Sequence, residues 1–237
     1  MVTEQIPLRF SWQDGFSFEN YFAGENIIAV HYLQQIASGE SVDEQFLFLW
    51  GFANVGKSHL LQAVCQQAAN SGLSVAYLPL TEIGELQLEM FTGLEQLSLV
   101  CIDDVQVIAG NKLFEEALFH LYNRMRDVGS KMIVVGDVTP GAMPVSLADL
   151  QSRLGWGPVF HLQELNDENK IEALRLRANA RGFELAEDVG LFLLRRSARD
   201  MPSLFALLDK LDEASLAQHR KLTIPFVRDL IYSEQSE

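Results

Sequence analysis

Apolar positions fall in two different rhythms along the chain. Up to about residue 162, short apolar runs alternate with stretches of helical spacing. Phe46–Trp50 is a continuous apolar run of strand length, and Leu60, Leu61, Val64, Cys65 and Ala68 follow it at helical intervals. Ser74–Leu80, Leu97–Asp104, Met132–Val135 and Val159–Leu162 read as further strands. Helices are expected over 26–38, stopped by Gly39, over 113–128, closed by Gly129, and over 146–154, after Pro144. This alternation predicts an α/β unit with a five-stranded parallel sheet between helices.

From Asn166 the strands stop. Asn166 and Asp167 suit a helix N-cap and Glu168 its first turn. Ile171, Leu174 and Ala178 share one helical face, and Gly182 closes that helix. Val189, Phe192 and Leu193 mark a second helix, Leu204, Leu207, Leu208, Leu211 and Ala214 a third, and Ile224–Ile231 a fourth, entered through Pro225. These stripes read as core. The expected division is a short segment over 1–12, a core over 13–165 and a C-terminal α-helical lid over 166–237.

One junction of strand and helix carries chemistry. Gly51, Gly56, Lys57 and Ser58 match the phosphate-binding pattern G-x-x-x-x-G-K-[ST], and the pattern lies between the Phe46–Trp50 run and a helix. Glycines let backbone N–H groups face a polyphosphate, and the helix N-terminus adds partial positive charge. Asn54, Val55, Gly56, Lys57, Ser58 and His59 are therefore the expected nucleotide-binding stretch, with ATP or ADP as ligand. Lys57 supplies a full charge to the phosphates, and the Ser58 hydroxyl suits Mg²⁺.

Two acids end the Leu97–Asp104 run. Asp103 fits a metal site shared with Ser58, and Asp104 fits the orientation of an attacking water. A helix cap is the bland alternative for such a pair. Asp137, after the Met132–Val135 run, either senses the γ-phosphate or caps a turn before Pro140. The aromatic stretch over 11–25, with Trp12, Phe16, Phe18, Tyr21 and Phe22, leads to Asn26 and is either a brace for the core or a wall for a nucleotide base.

Composition narrows the class. The balance of 48% hydrophobic and 21% charged residues is that of a globular protein, and no apolar run approaches the roughly 20 residues of a membrane span. The N-terminus has neither a basic flank nor an apolar signal region, so a cytoplasmic chain is expected. A net charge of −14 argues against a chain whose main task is to grip a nucleic-acid backbone. Cys65 and Cys101 sit in apolar stretches and are expected as buried free thiols. Near the start, Gln5, Leu8 and Phe10 form Q-x-x-L-x-F, and Pro7 discourages a helix. An extended peptide of this kind docks in a partner's groove, or it is a frayed terminus.

The residues together resemble the AAA+ ATPases, and within them the DnaA-like family. Phe18-Glu-Asn-Tyr-Phe-Ala-Gly-Glu-Asn26, Val100-Cys-Ile-Asp-Asp-Val-Gln-Val-Ile-Ala-Gly110, Phe119-His-Leu-Tyr-Asn123 and Leu150-Gln-Ser-Arg-Leu154 are each similar to a DnaA stretch. The similarity covers about residues 16 to 215. The sequence ends soon after the lid, without DnaA's basic DNA-reading module, and begins with the glutamine peptide. This arrangement looks like the Hda group of DnaA-homologous regulators.

The resemblance implies an AAA+ P-loop NTPase core and a negative regulator of replication initiation. Its implied partners are DnaA and, through Gln5, Leu8 and Phe10, the replicative sliding clamp (the DNA polymerase III beta subunit). Sequence-specific DNA binding and membrane attachment are not implied, and a homo-oligomer is left open. Tyr21, Phe22 and Asn26 would line the base pocket. Arg153 falls on the arginine-finger position and would act in trans on DnaA-bound ATP; a surface ion pair is its bland alternative. The usual lid arginine aligns with Pro202, with Arg199 nearby, so the chain's own hydrolysis is expected to be weak. A helicase loader, or another self-sufficient ATPase, is the rival reading.

Overall fold

Runs that are apolar on both faces cannot leave either face to water, so they end in the middle of a layered sheet. β1 (Phe46–Trp50), β2 (Val75–Pro79), β3 (Leu99–Asp103), β4 (Lys131–Gly136) and β5 (Val159–His161) form one sheet in the order β2-β3-β4-β1-β5. Every pairing is parallel. The computed structural model describes residues 16–40, 42–81, 87–218 and 220–234. The peptide residues Gln5, Leu8 and Phe10 and the aromatic Trp12 lie outside the described residues.

Parallel strands all finish at the same edge. Trp50, the last residue of β1, pairs in register with Gly136 of β4, and Ile102 of β3 pairs with Val134. The loop after β1, the acids ending β3 and Asp137 after β4 therefore emerge together. That carboxyl edge is where open α/β sheets place their ligands.

The chain divides into two compact units. Its first unit holds the described residues within 16–18, 28–51 and 56–162. Beside the sheet it contains α1 (Ile27–Ala37, whose first residue belongs to the second unit), α2 (Lys57–Asn70), α3 (Lys112–Val128) and α4 (Ala148–Leu154). Phe48, Val100, Ile102, Leu118, Leu121 and Met132 meet in its core, and Phe46 stacks on Tyr122 with ring centroids 4.1 Å apart. Cys65 and Cys101 are buried free thiols, as expected from their apolar surroundings.

The second unit comprises residues 19–27, 52–55 and 163–237. Its helices are α5 (Asp167–Ala180), α6 (Glu187–Arg196), α7 (Met201–Gln218) and α8 (Ile224–Glu234). Asn166 caps α5 by accepting from Asn169 N at 2.8 Å. Leu174, Leu193, Leu204, Leu208, Leu211 and Val227 form the core of this unit. Asp209 takes both Arg177 and Arg181, at 2.8 and 3.0 Å. Among the described residues no helix is long and apolar enough to cross a membrane.

The elements are those that the hydrophobic pattern predicts, and two of them start two residues late. β3 begins at Leu99 because residues 94–96 form a 3-10 turn. α4 begins at Ala148, two residues later than expected, because Ser146 and Leu147 give their N–H groups to a side chain from another helix. Glu115 of α3 is 0% exposed. Its Oε1 accepts from Gly110 N at 2.7 Å and Ser146 N at 3.0 Å, and its Oε2 from Ser146 N at 3.0 Å and Leu147 N at 2.8 Å. One buried carboxylate thus serves three backbone donors in two loops.

Replacing Glu115 with alanine removes this shared acceptor. A hydrogen bond to a charged group contributes roughly 1.5–3 kcal/mol. Glu115→Ala is therefore expected to lower stability by about 3 kcal/mol or more, and the unfolding temperature by about 6–12 °C. A calorimetric unfolding temperature unchanged within about 2 °C would show that the carboxylate does not carry these loops.

Candidate functional site

The loop after β1 is bent by two left-handed residues. Asn54 has φ 65° and Gly56 φ 91°. Asparagine tolerates this region because its short polar side chain clashes little, and glycine has no Cβ to clash. Gly56 is also the cap residue of α2 and makes no side-chain cap. The first N–H groups of α2 therefore remain donors for an anion.

Lys57, the first residue of α2, folds back across the loop. Its Nζ donates to the Gly51 carbonyl at 2.7 Å. It is only 9% exposed. Burial pulls its pKa below the usual lysine range, while the negative charges of Asp104, Asp103 and Asp137 act in the opposite direction. The groups expected from the sequence to serve one phosphate site thus share one electrostatic environment.

Asp103 is 1% exposed. Its Oδ2 accepts from the Tyr77 hydroxyl at 2.9 Å and its Oδ1 from Asp104 N at 3.0 Å. Burial pushes this carboxyl above its usual range; a hydrogen bond from Ser58 opposes the rise, neighbouring Asp104 adds to it, and Tyr77 opposes it again. Ser58 and Asp103 are hard oxygen donors, a set that suits Mg²⁺. Among the described residues no three His, Cys, Asp or Glu side chains gather as a metal-ligand group. A cation held by Ser58 and Asp103 would take the rest of its shell from phosphate and water, the usual arrangement for Mg²⁺.

Asp104 is itself left-handed, with φ 56° and ψ 47°. Its Oδ2 accepts from Thr81 Oγ1 at 2.9 Å, and its Oδ1 from Gln106 Nε2 at 3.0 Å. Asp137 is exposed. The Nε2 of His59 pairs with the Ser17 carbonyl at 2.9 Å, and its ring meets Phe16 edge-on at 4.9 Å.

In the second unit, the Tyr21 hydroxyl donates to the Val55 carbonyl at 3.4 Å. Burial pushes the Tyr21 phenol up to about 12, with a hydrogen bond to Asn26 working against it. Asn26 bonds the backbone of Gln163 with both ends of its amide: Nδ2 donates to the Gln163 carbonyl at 3.0 Å, and Oδ1 accepts from Gln163 N at 2.7 Å. Phe22 is half-buried. Pro202 is the second residue of α7, where proline is tolerated, and Arg199 is ion-paired with Asp167.

Arg153 lies near the end of α4. Its guanidinium carbon sits 3.6 Å from the centroid of the Trp156 ring and 5.9 Å from that of Phe119. Among the described residues no carboxylate lies within ion-pair distance of it. The sequence reading missed Tyr77, Thr81, Gln106 and Trp156. Tyr77 had one usable signal, since a tyrosine inside a buried strand needs a partner for its hydroxyl. The others meet their partners through turns that the apolar pattern does not describe.

A phosphate loop between β1 and α2, acids ending β3 in the middle of a parallel sheet, and an α-helical second unit define the AAA+ class of P-loop protein. The family model for the bacterial DnaA ATPase domain matches residues 12–161, and that for the Hda lid domain matches residues 167–231. The chain belongs to the DnaA-like AAA+ proteins that carry an Hda lid.

Solved structures agree at the level of fold. Domain III of the Thermotoga maritima replication initiation protein DnaA superposes with a TM-score of 0.78 at 23% identity, covering 93% of this chain and 97% of that one. AMPPCP-bound DnaA from Aquifex aeolicus gives 0.71 at 21% identity, covering 85% of this chain and 66% of that one. The RuvB Holliday junction branch migration motor of Thermotoga maritima gives 0.69 at 16% identity, covering 94% and 73%.

The raised Asp103 carboxyl carries a consequence for stability. An acid whose folded pKa lies above its unfolded one stabilises the fold only while it is protonated, and that contribution is lost as pH rises through the folded value. At neutral pH the charged, buried carboxylate therefore opposes folding. Asp103→Asn keeps an acceptor for Asp104 N, and the Tyr77 hydroxyl can turn to accept. The variant is expected to unfold at a higher temperature than the parent at pH 7 without added nucleotide or metal, with the gap closing as pH falls towards the ordinary carboxylate range. A lower unfolding temperature at pH 7 would rule out this burial cost.

Proposed function

We propose that this chain is a negative regulator of replication initiation that binds adenine nucleotide and acts in trans on DnaA. In this reading the peptide with Gln5, Leu8 and Phe10 tethers it to the DNA-loaded sliding clamp, and the face bearing Arg153 docks on ATP-bound DnaA. Tethering raises the effective concentration, so each contact alone can be weak. The observation that carries the reading is the state of Arg153: in a chain with 32 acidic residues its charge is left without a carboxylate partner among the described residues. A guanidinium in that state can meet the charge that develops on a γ-phosphate as its bond breaks.

The chain's own nucleotide, ATP or ADP, would lie on the loop formed by Asn54, Val55, Gly56, Lys57 and Ser58. Lys57 and the first N–H groups of α2 would hold the phosphates, with Tyr21, Phe22 and Asn26 on the base side. Ser58 and Asp103 would hold Mg²⁺, which when bound neutralises phosphate charge. Asp137 would stand at the γ-phosphate end. Asp104 already spends two of a carboxylate's roughly four acceptor sites on Thr81 and Gln106. With Pro202 uncharged and Arg199 paired to Asp167, weak hydrolysis by the chain alone fits the lid as well.

The test is single-turnover hydrolysis of ATP preloaded on DnaA, with this chain added, with and without clamp loaded on DNA. Acceleration that depends on loaded clamp is expected. Arg153→Ala should lower the stimulated rate by about a thousandfold or more while sparing clamp binding. Equal stimulation by the variant would sink the finger role. Gln5→Ala should weaken clamp binding about tenfold, and unchanged affinity would reject the tether. Fast turnover by the chain alone, with no effect on DnaA, would favour the self-sufficient ATPase or helicase-loader reading.

A further inference from the structure

We infer that Trp156 is a positioning residue for Arg153: its indole face holds the guanidinium in line for a phosphate without neutralising it. The inference rests on the finger reading above and adds to it the device that aims the finger.

The turn after α4 is built to fix one side chain. It reads Gly155-Trp156-Gly157-Pro158. Gly155 N donates to Ser152 O at 3.3 Å, and Trp156 N donates to Arg153 O at 3.0 Å. Phe48 N of β1 donates to Pro158 O at 3.0 Å. A Cβ added at Gly157 would lie 1.6 Å from the Phe46 carbonyl oxygen, so no other residue fits there. The backbone on both sides of Trp156 is therefore fastened, on one side to α4 and on the other to β1.

The side chain so fixed is not used for burial. Trp156 is 52% exposed, although an indole is among the largest apolar groups a core can take. What it covers is a cation. The Arg153 guanidinium carbon, at 3.6 Å from the ring centroid, is at stacking distance. Arg126 also approaches the same ring, at 5.9 Å, but its guanidinium already binds Asp127 at 3.0 Å. Arg124, Arg175, Arg177, Arg181 and Arg199 hold carboxylates too. Arg153 is held by ring faces instead.

The difference matters chemically. A carboxylate binds the N–H edge of a guanidinium, the edge that a phosphate would use, so an ion pair has to be broken before phosphate can bind. An aromatic ring binds the flat face and leaves all five N–H donors free at the rim. The finger can therefore remain stacked while its fork engages phosphate, and the rotamer entropy of a long side chain is lost in advance.

The experiment is the clamp-dependent single-turnover assay on DnaA-bound ATP, with the concentration of this chain varied. Trp156→Ala is expected to lower the maximal rate about three- to tenfold, with the half-saturating concentration changed less than about twofold. Trp156→Tyr should restore the rate to within about twofold, and Trp156→Leu, apolar but without a π face, should not. Unfolding temperatures near that of the parent establish that each variant folds. Trp156→Ala behaving as the parent would overturn the inference. So would rescue by leucine equal to that by tyrosine, or a raised half-saturating concentration at unchanged maximal rate, the signature of a docking residue. Arg153→Ala run beside them separates the two claims. If it is active, the finger reading falls and Trp156 falls with it; if it is inactive while Trp156→Ala is not, only the aiming role fails.

Discussion

A lysine ammonium largely withdrawn from water is the constraint around which the carboxyl edge of the sheet is arranged. Lys57 has the Gly51 carbonyl as a partner, a dipole rather than a full charge. Burial of a cation is costly unless opposite charge lies close. Asp103, Asp104 and Asp137 supply that charge, yet Asp103 is itself almost fully buried and raised for the same reason. The acids relieve the lysine only in part and carry a desolvation cost of their own. Tyr77 then satisfies an Asp103 oxygen that water no longer reaches, while Thr81 and Gln106 bond the half-buried Asp104. A polyphosphate with its cation would answer both signs of charge at once, which gives such a loop reason to favour the bound state.

Glu115 imposes a second constraint, by geometry rather than by charge balance. Gly110 stands in the segment that follows the acids of β3, while Ser146 and Leu147 lead into the helix that bears Arg153. One carboxylate holds both. Because the bonds are short and the group is wholly buried, the two segments cannot drift apart without exposing unpaired backbone donors. The position of α4 is thereby referred to the sheet edge rather than left to a surface loop.

Which features were legible in the sequence follows from the range of the forces that make them. Each strand is a local apolar run, and each helix of the second unit repeats its apolar residues within a few positions, so the pattern alone predicts the parallel sheet and the helical unit. The loop between β1 and α2 is legible because its glycines and lysine fall in one short stretch of sequence. Strand order, the later start of α4 and the partners of Asp103 and Asp104 depend on residues far away in sequence. Glu115 meets Ser146 across a separation of 31 residues. Nothing in the Phe114–Glu116 stretch distinguishes this glutamate from the half-buried one beside it. His59 is a subtler case: it follows the motif directly, yet its ring is drawn to Ser17 and Phe16, neighbours that no spacing rule announces.

The two cations on which the proposed function would draw are held by opposite means. Lys57 is surrounded by acids and hidden, so its charge is held in readiness by the incompleteness of its compensation. Arg153 stands in a half-exposed position on a chain of net charge −14, where a carboxylate partner would be easy to acquire and would occupy the guanidinium edge. Rings of Trp156 and Phe119 take that place. A surface stacking contact is weaker than a buried ion pair and contributes little to folding. The Gly-Trp-Gly turn, with a glycine that only the Phe46 carbonyl dictates, is more backbone precision than so small a gain in stability requires. Such precision is understandable when the direction of the guanidinium, rather than the energy of the contact, is what the fold preserves.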